Sequence, residues 1–298
     1  VAECLIRLAK AHVIEAYLVL LAYLSTYSEE FSYVALQLKK QSPNIYNQLD
    51  LDNFAQRNVS SISEDKLIEA LLPGFSALNI DCSVVDDSLP LTVYSNVLSV
   101  FECNYIVKRF SPMLEPSMIV DPITGKGRVD SVRTSQVAII FPEVADWITR
   151  KIDVIVAHLT DTKVTQGEAL TLLRYEDGQE YKPHYDAFSV GEDAVIFQDG
   201  GQRVKTALIY LNTLEEGGAT YFPKLNKRVA PVLGSMLVFP NVDSNGDTLI
   251  NSYHAGEKIT TTDKWLVTKW IRKNNTNYGN LIFGEKANRL LNDKGKHG

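Results

Sequence analysis

The chain has 298 residues, 45% of them hydrophobic and 22% charged, with a formal net charge of -6. That apolar share can bury a sizeable core, which excludes a mostly disordered chain. The acidic balance excludes a non-specific nucleic-acid binder, which needs a basic footprint, so no nucleic-acid partner is expected.

Three cysteines occur, Cys4, Cys82 and Cys103, and none forms a C-x-x-C pair. Neither a zinc ribbon nor a disulfide framework is available, which favours a reducing, cytoplasmic compartment and leaves the secretory pathway open. The chain opens on Val1 rather than methionine, leaving room for a removed upstream targeting segment. The longest apolar run, residues 13–24, contains Glu15 and is too short to span a bilayer, so no membrane partner is expected.

Residues 1–88 read as a helical N-terminal region without recognisable chemistry. Ile6, Ala9, Val13, Tyr17, Leu20 and Leu24 recur at steps of three or four, one face of an amphipathic helix. Ser42-Pro43-Asn44 breaks the pattern, and Ser61 with Glu64 forms a capping box for a short helix that stops at Pro73-Gly74. These apolar faces require a partner surface, and a homodimer is one expectation. Residues 90–95 then read as a strand, and Ser99 with Glu102 caps a helix running to about Arg109. Asp121 to Gly127 is a turn-rich loop. Pro142 fits the first position of a helix that buries Val144, Ile148, Ile152, Ile155 and Leu159.

From Glu168 the chain is strand after strand: 168–175, 205–212, 219–222, 235–239, 250–254 and 264–271. Asn245-Gly246 marks a turn between two of them. Short strands separated by Gly, Pro and Asn predict an antiparallel jelly roll with helices packed outside, an α+β chain. Residues 274–298 read as a C-terminal surface extension ending in a short helix.

Chemistry concentrates in Tyr175 to Asp186. His184 and Asp186 form H-x-D, and in a strand residues two apart share a face, so imidazole and carboxylate can grip one ion. His254, at the end of another predicted strand, supplies a second imidazole. Two histidines and a carboxylate make the facial triad of non-haem Fe(II), which leaves coordination positions open for co-substrate and dioxygen. Lys264 follows ten residues after His254, and a lysine facing into a jelly roll is costly to bury without an anion. A dicarboxylic co-substrate would satisfy it, with hydroxyls from Tyr175 and Thr220 in support. Lys269, on the same strand, reads as solvated.

Asp243-Ser-Asn245-Gly-Asp247 starts like a calcium loop but lacks its glycine and its closing glutamate. Gly125-Lys126 lacks the upstream glycine of a phosphate-binding loop, and Gly200-Gly201 is a turn.

The segments Val132-Arg133-Thr134-Ser135, Tyr175 through Asp186, Gly200-Gly201-Gln202-Arg203, Tyr210-Leu211-Asn212, Glu216 through Pro223, and His254-Ala255-Gly256 through Lys264-Trp265 together resemble the prolyl 4-hydroxylase family. The likeness runs over roughly residues 90 to 273, so residues 89–273 are expected to form one dioxygenase domain. It implies a double-stranded β-helix using Fe(II), 2-oxoglutarate and O2, with ascorbate as reductant. It also implies His184, Asp186 and His254 as iron ligands, and Lys264, Tyr175 and Thr220 around 2-oxoglutarate. Around a proline-containing peptide it implies Arg133, Ser135, Glu168, Tyr181, Arg203 and Trp270. The product would be 4-hydroxyproline. The run Gln136-Val-Ala-Ile139 and the acidic, apolar stretch 187–199 depart from the family pattern near the substrate entrance. Two other readings therefore stay open: the same chemistry on another side chain or a small molecule, and a non-catalytic jelly-roll binding module.

Overall fold

The computed structural model describes residues 39–40, 43, 80–120, 127–129, 132–145, 147–189, 194–260 and 262–283. Ile80–Val144 with Val156–Gly279 forms one compact unit that holds every described strand; Ala145–Ile155 and the chain from Asn280 belong to another. The helices read within residues 1–79 lie almost wholly outside the described residues, as does the loop 121–126. Among the described residues no helix is long and apolar enough to cross a membrane.

Among the described residues fourteen strands follow in chain order: β1 Cys82–Asp86, β2 Leu91–Tyr94, β3 Glu115–Pro116, β4 Met118–Val120, β5 Gly127–Val129, β6 Gln136–Ile140 and β7 Leu170–Tyr175. Then come β8 Tyr181–His184, β9 Arg203–Tyr210, β10 Thr220–Phe222, β11 Lys227–Val229, β12 Met236–Pro240, β13 His254–Gly256 and β14 Lys264–Arg272. Among the described residues the helices that frame these strands are α1 Val100–Phe110, α2 Trp147–Thr160 and α3 Asn277–Phe283.

An eight-stranded sheet has the order β1-β2-β12-β9-β14-β7-β6-β3, and a four-stranded sheet the order β11-β10-β13-β8. Every pairing in them is antiparallel. This is the expected double-stranded β-helix. Strand period explains the core: Leu173 and Tyr175, Leu208 and Tyr210, Leu237 and Phe239 are two apart and face one way. They pack with Leu266, and with Phe222 and Val229 of the smaller sheet, in one buried cluster. Lys264 lies two residues before Leu266, so the same alternation turns it inward.

The cap of α1 forms as read. Glu102 N donates to Ser99 Oγ, and Ser99 N donates to Glu102 Oε2 at 2.9 Å. Cys103, Ile106 and Phe110 then fall on its buried face.

Several expectations need correction. The second helix starts at Trp147, not Pro142, so Val144 precedes it, and Leu159 is only half-buried. Residues 250–254 are not one strand: Ile250–Ser252 is a 3-10 turn, and β13 begins at His254. Cys82–Asp86, assigned to the helical N-terminal region, is an edge strand. Lys269 is not solvated; it is buried, donates to the Glu168 carbonyl, and lies 4.7 Å from the Tyr278 ring centroid. Residues 273–275 are exposed as an extension would be, but Thr276 is buried and donates to the Gly167 carbonyl at 2.6 Å.

Candidate metal centre

His184 closes β8 and His254 opens β13, and the two are register partners with ring centroids 4.3 Å apart. Between them and Tyr181 the ladder slips: Gly256 pairs with Tyr181, so three residues of β8 span two of β13. Such a bulge puts residues three apart on one side of the strand. Tyr181 accordingly stacks on His184, centroids 3.6 Å apart and planes 17° from parallel. Asp186 lies beyond the end of β8, in a bend. Strand alternation, the reason for pairing His184 with Asp186 in the sequence, therefore does not place this carboxylate.

Each imidazole is oriented from behind. His184 Nδ1 lies 2.8 Å from the Lys182 carbonyl, and His254 Nδ1 lies 2.8 Å from the Ser252 carbonyl. A carbonyl only accepts, so each Nδ1 carries a proton, and Nε2 is the nitrogen each ring turns toward the site. Those Nε2 atoms face different oxygens of Asp186, at 3.6 Å for His184 and 3.7 Å for His254. The ligand atoms of all three residues lie within 4.8 Å of one another.

Burial, then the neighbouring His184 ring, pushes the His254 pKa down to about 4, which leaves it neutral at pH 7. Burial alone would raise the Asp186 pKa. The two flanking imidazoles, His254 before His184, and the charge of Arg203 outweigh it and hold the carboxyl well below the usual range. A divalent cation needs these protonation states in its ligands. Two nitrogens and one carboxylate oxygen on one side of an ion fit Fe(II) with positions left open.

Behind the metal site Lys264 is 3% exposed, and among the described residues it forms no ion pair. Its Nζ lies 5.8 Å from the Tyr175 ring centroid and 5.6 Å from that of Tyr210. Tyr175 is its register partner, and Tyr210 pairs with Leu266 on the other side. Thr220 Oγ1 lies 2.8 Å from Tyr210 Oη. Burial pushes the Lys264 pKa down to about 8, with Glu257 partly opposing. The structure thus brings Lys264, Tyr175 and Thr220 together as expected, and adds Tyr210.

The six peptide positions fall into two clusters. In the first, Arg133 bridges the backbone of Tyr181, lies 5.0 Å from that ring centroid and donates from Nε to Ser135 Oγ at 3.2 Å. In the second, Glu168 accepts two bonds from Arg203, at 2.6 and 2.8 Å, and one from Arg272 Nε at 2.6 Å. Arg203 lies over Trp270 at 3.9 Å. Among the described residues both clusters keep a buried donor without a hydrogen-bond partner, Arg133 Nη2 and Trp270 Nε1.

Sequence reasoning missed Arg272, Tyr210, Thr206 and Asn241. Inward alternation from Leu208 was the available signal for Thr206 and Tyr210, and Arg272 follows Trp270 by the same step. Asn241 had none, because it stands just past the end of β12.

Residues 170–272 match the sequence family described as the 2OG-Fe(II) oxygenase superfamily. Prolyl 4-hydroxylase 1 of Arabidopsis thaliana is 35% identical over 234 residues, covering 74% of this chain and 80% of that protein. The Arabidopsis protein called "Probable prolyl 4-hydroxylase 10" is 34% identical over 200 residues, covering 61% of this chain and 68% of its own length. Among solved structures, the viral collagen prolyl hydroxylase vCPH of Paramecium Bursaria Chlorella virus-1 is 23% identical, with a TM-score of 0.49 over 61% of this chain and 94% of that one.

Proposed function

Because the chain belongs to the prolyl 4-hydroxylase family of 2OG-Fe(II) oxygenases, we propose that it hydroxylates a proline within a peptide or protein to 4-hydroxyproline. One observation carries this reading at the level of atoms. Three metal donors whose ligand atoms lie within 4.8 Å of one another share the fold with a buried lysine that, among the described residues, forms no ion pair.

Fe(II) held by His184, Asp186 and His254 would supply the oxidative chemistry, with 2-oxoglutarate and O2 consumed to give succinate, carbon dioxide and a hydroxylated carbon. The chain's own residues bind and orient. Lys264 would hold the far carboxylate of 2-oxoglutarate, recovering in an ion pair what its ammonium loses by burial. Tyr175 and Thr220 would donate to the same group. If Tyr210 donates to Thr220, the threonine proton is left for the ligand.

Arg133 Nη2 and Trp270 Nε1 would serve the peptide, since unpaired buried donors are expensive until something accepts from them. The aromatic faces of Tyr181 and Trp270 offer an apolar bed for a proline ring. Glu168 would act at one remove, by holding Arg203 against Trp270.

Succinate release from 2-oxoglutarate should require Fe(II), rise when a proline-containing peptide is added, and vanish in His254→Ala. Release that ignores iron and peptide would reject the proposal, and oxygen found on a residue other than proline would move it to a different substrate.

A further inference from the structure

Asp186 is the one metal donor that no strand holds, yet it is 6% exposed and fixed in place. Its Oδ2 accepts a 2.7 Å bond from Thr206 Oγ1 on β9, and Thr206 Oγ1 accepts a 2.9 Å bond from Asn241 Nδ2. Thr206 and Asn241 are both fully buried. Resting on the metal-centre reading above, we propose that Thr206 and Asn241 are positioning residues, a two-bond relay that aims the Asp186 carboxylate at the metal.

The direction of the relay follows from the donor inventory. A carboxylate only accepts, so the Thr206 hydroxyl must give its single proton to Asp186. The oxygen of Thr206 is then left to accept, which requires the amide of Asn241, not its carbonyl, to face it. The Asn241 Oδ1 atom is correspondingly buried with no hydrogen-bond partner among the described residues. A buried amide that leaves its own acceptor unpaired is costly, and it is retained here where the donor is used.

The backbone of Asn241 is itself pinned. Its N–H donates to the Val204 carbonyl at 2.9 Å, and its carbonyl accepts from Leu249 N at 3.0 Å. Thr206 is locked in the large sheet, paired with Phe239 on β12 and Trp270 on β14. The relay therefore ties a ligand in a bend after β8 to β9 of the large sheet and to the residue just past the end of β12. Oriented this way, Oδ2 accepts from Thr206 and lies 3.7 Å from His254 Nε2, while Oδ1 lies 3.6 Å from His184 Nε2.

The test is Mn(II) binding to the full chain without co-substrate, followed by titration, with Co(II) absorption as a spectroscopic check on the ligand set. Wild type should bind one ion; failure to bind would reject the metal centre itself and not the relay. Thr206→Val, which keeps shape and removes the proton, should weaken binding about 10- to 100-fold, the usual effect of losing a hydrogen bond to a metal ligand. Thr206→Ser should restore affinity to within about threefold of wild type, since it keeps the donor. Asn241→Leu should weaken binding in the wild-type background and add little to Thr206→Val, because one relay is then already broken. Should Thr206→Val not fold, Thr206→Ala removes the same proton without a steric demand. Wild-type Mn(II) affinity in either the Val or the Ala variant would overturn the proposal, as would additive effects in the double variant.

Discussion

Raising the pH through 8 should cost this protein its grip on 2-oxoglutarate. The perturbed group is Lys264, whose ammonium lies beside the rings of Tyr175 and Tyr210, with Glu257 an opposing charge and His254 on the metal side. A fall in pKa from 10.5 to about 8 corresponds to about 3 kcal/mol of burial penalty on the charged form. A bound carboxylate favours the ammonium, so above pH 8 co-substrate binding must take up a proton. Affinity should then fall about tenfold per pH unit between 8 and the higher pKa of the complex, and stay flat below 8. Calorimetric titration of the Mn(II)-loaded protein with 2-oxoglutarate from pH 7 to 9.5 reads this directly, and buffers of different ionisation enthalpy count the proton. Lys264→Arg, charged throughout this range, should abolish the slope. An affinity independent of pH in wild type, or a slope that survives in Lys264→Arg, would refute the reasoning.

The same shift fixes the sign for stability without ligand. Below pH 8 the penalty is fully present, and it is relieved as pH rises toward 10.5, so Tm should gain a contribution in that window that 2-oxoglutarate removes. Glu168→Ala would remove the carboxylate that binds both Arg203 and Arg272, and should destabilise by about 3–5 kcal/mol in denaturant melts; an unchanged midpoint would contradict the assigned network. Gly234 sits at φ +75, and an added Cβ would lie 2.1 Å from the Leu98 carbonyl oxygen. Gly234→Ala should therefore cost more than the roughly 1–2 kcal/mol of a left-handed conformation alone, read as a lowered Tm. Ser99→Ala should cost about 1 kcal/mol by removing the α1 cap, with no change in metal affinity.

Much of the site was legible because its chemistry is unusual for its surroundings. His184, Asp186 and His254 are weak signals taken singly; the spacing to Lys264 and the ordered run of segments from Arg133 to Trp265 are what identify the barrel. Lys264 and Lys269 show the limit of that logic. Both are buried on one strand, but five residues apart they face opposite ways, and Lys269 is satisfied by the Glu168 carbonyl and the Tyr278 ring. Nothing local distinguishes an inward lysine with a carbonyl partner from a solvated one. Ile250–Ser252 read as a strand because its composition allows one, while the chain uses it as a turn that leaves Ile250 exposed. Asp186 was found for an incomplete reason. Period-two alternation selected the right residue, but the bend after β8 removes that constraint, and long-range bonds to Thr206 and Asn241 replace it. Such bonds join residues 20 and 35 positions apart and leave no periodic trace.

The most direct measurement of the central claim is turnover under isotopically heavy dioxygen. With Fe(II), 2-oxoglutarate and a proline-containing peptide, one heavy oxygen atom should appear on a proline ring carbon and one in succinate, in equal amounts. Succinate formed without any labelled proline, or labelled peptide formed without 2-oxoglutarate, would contradict it.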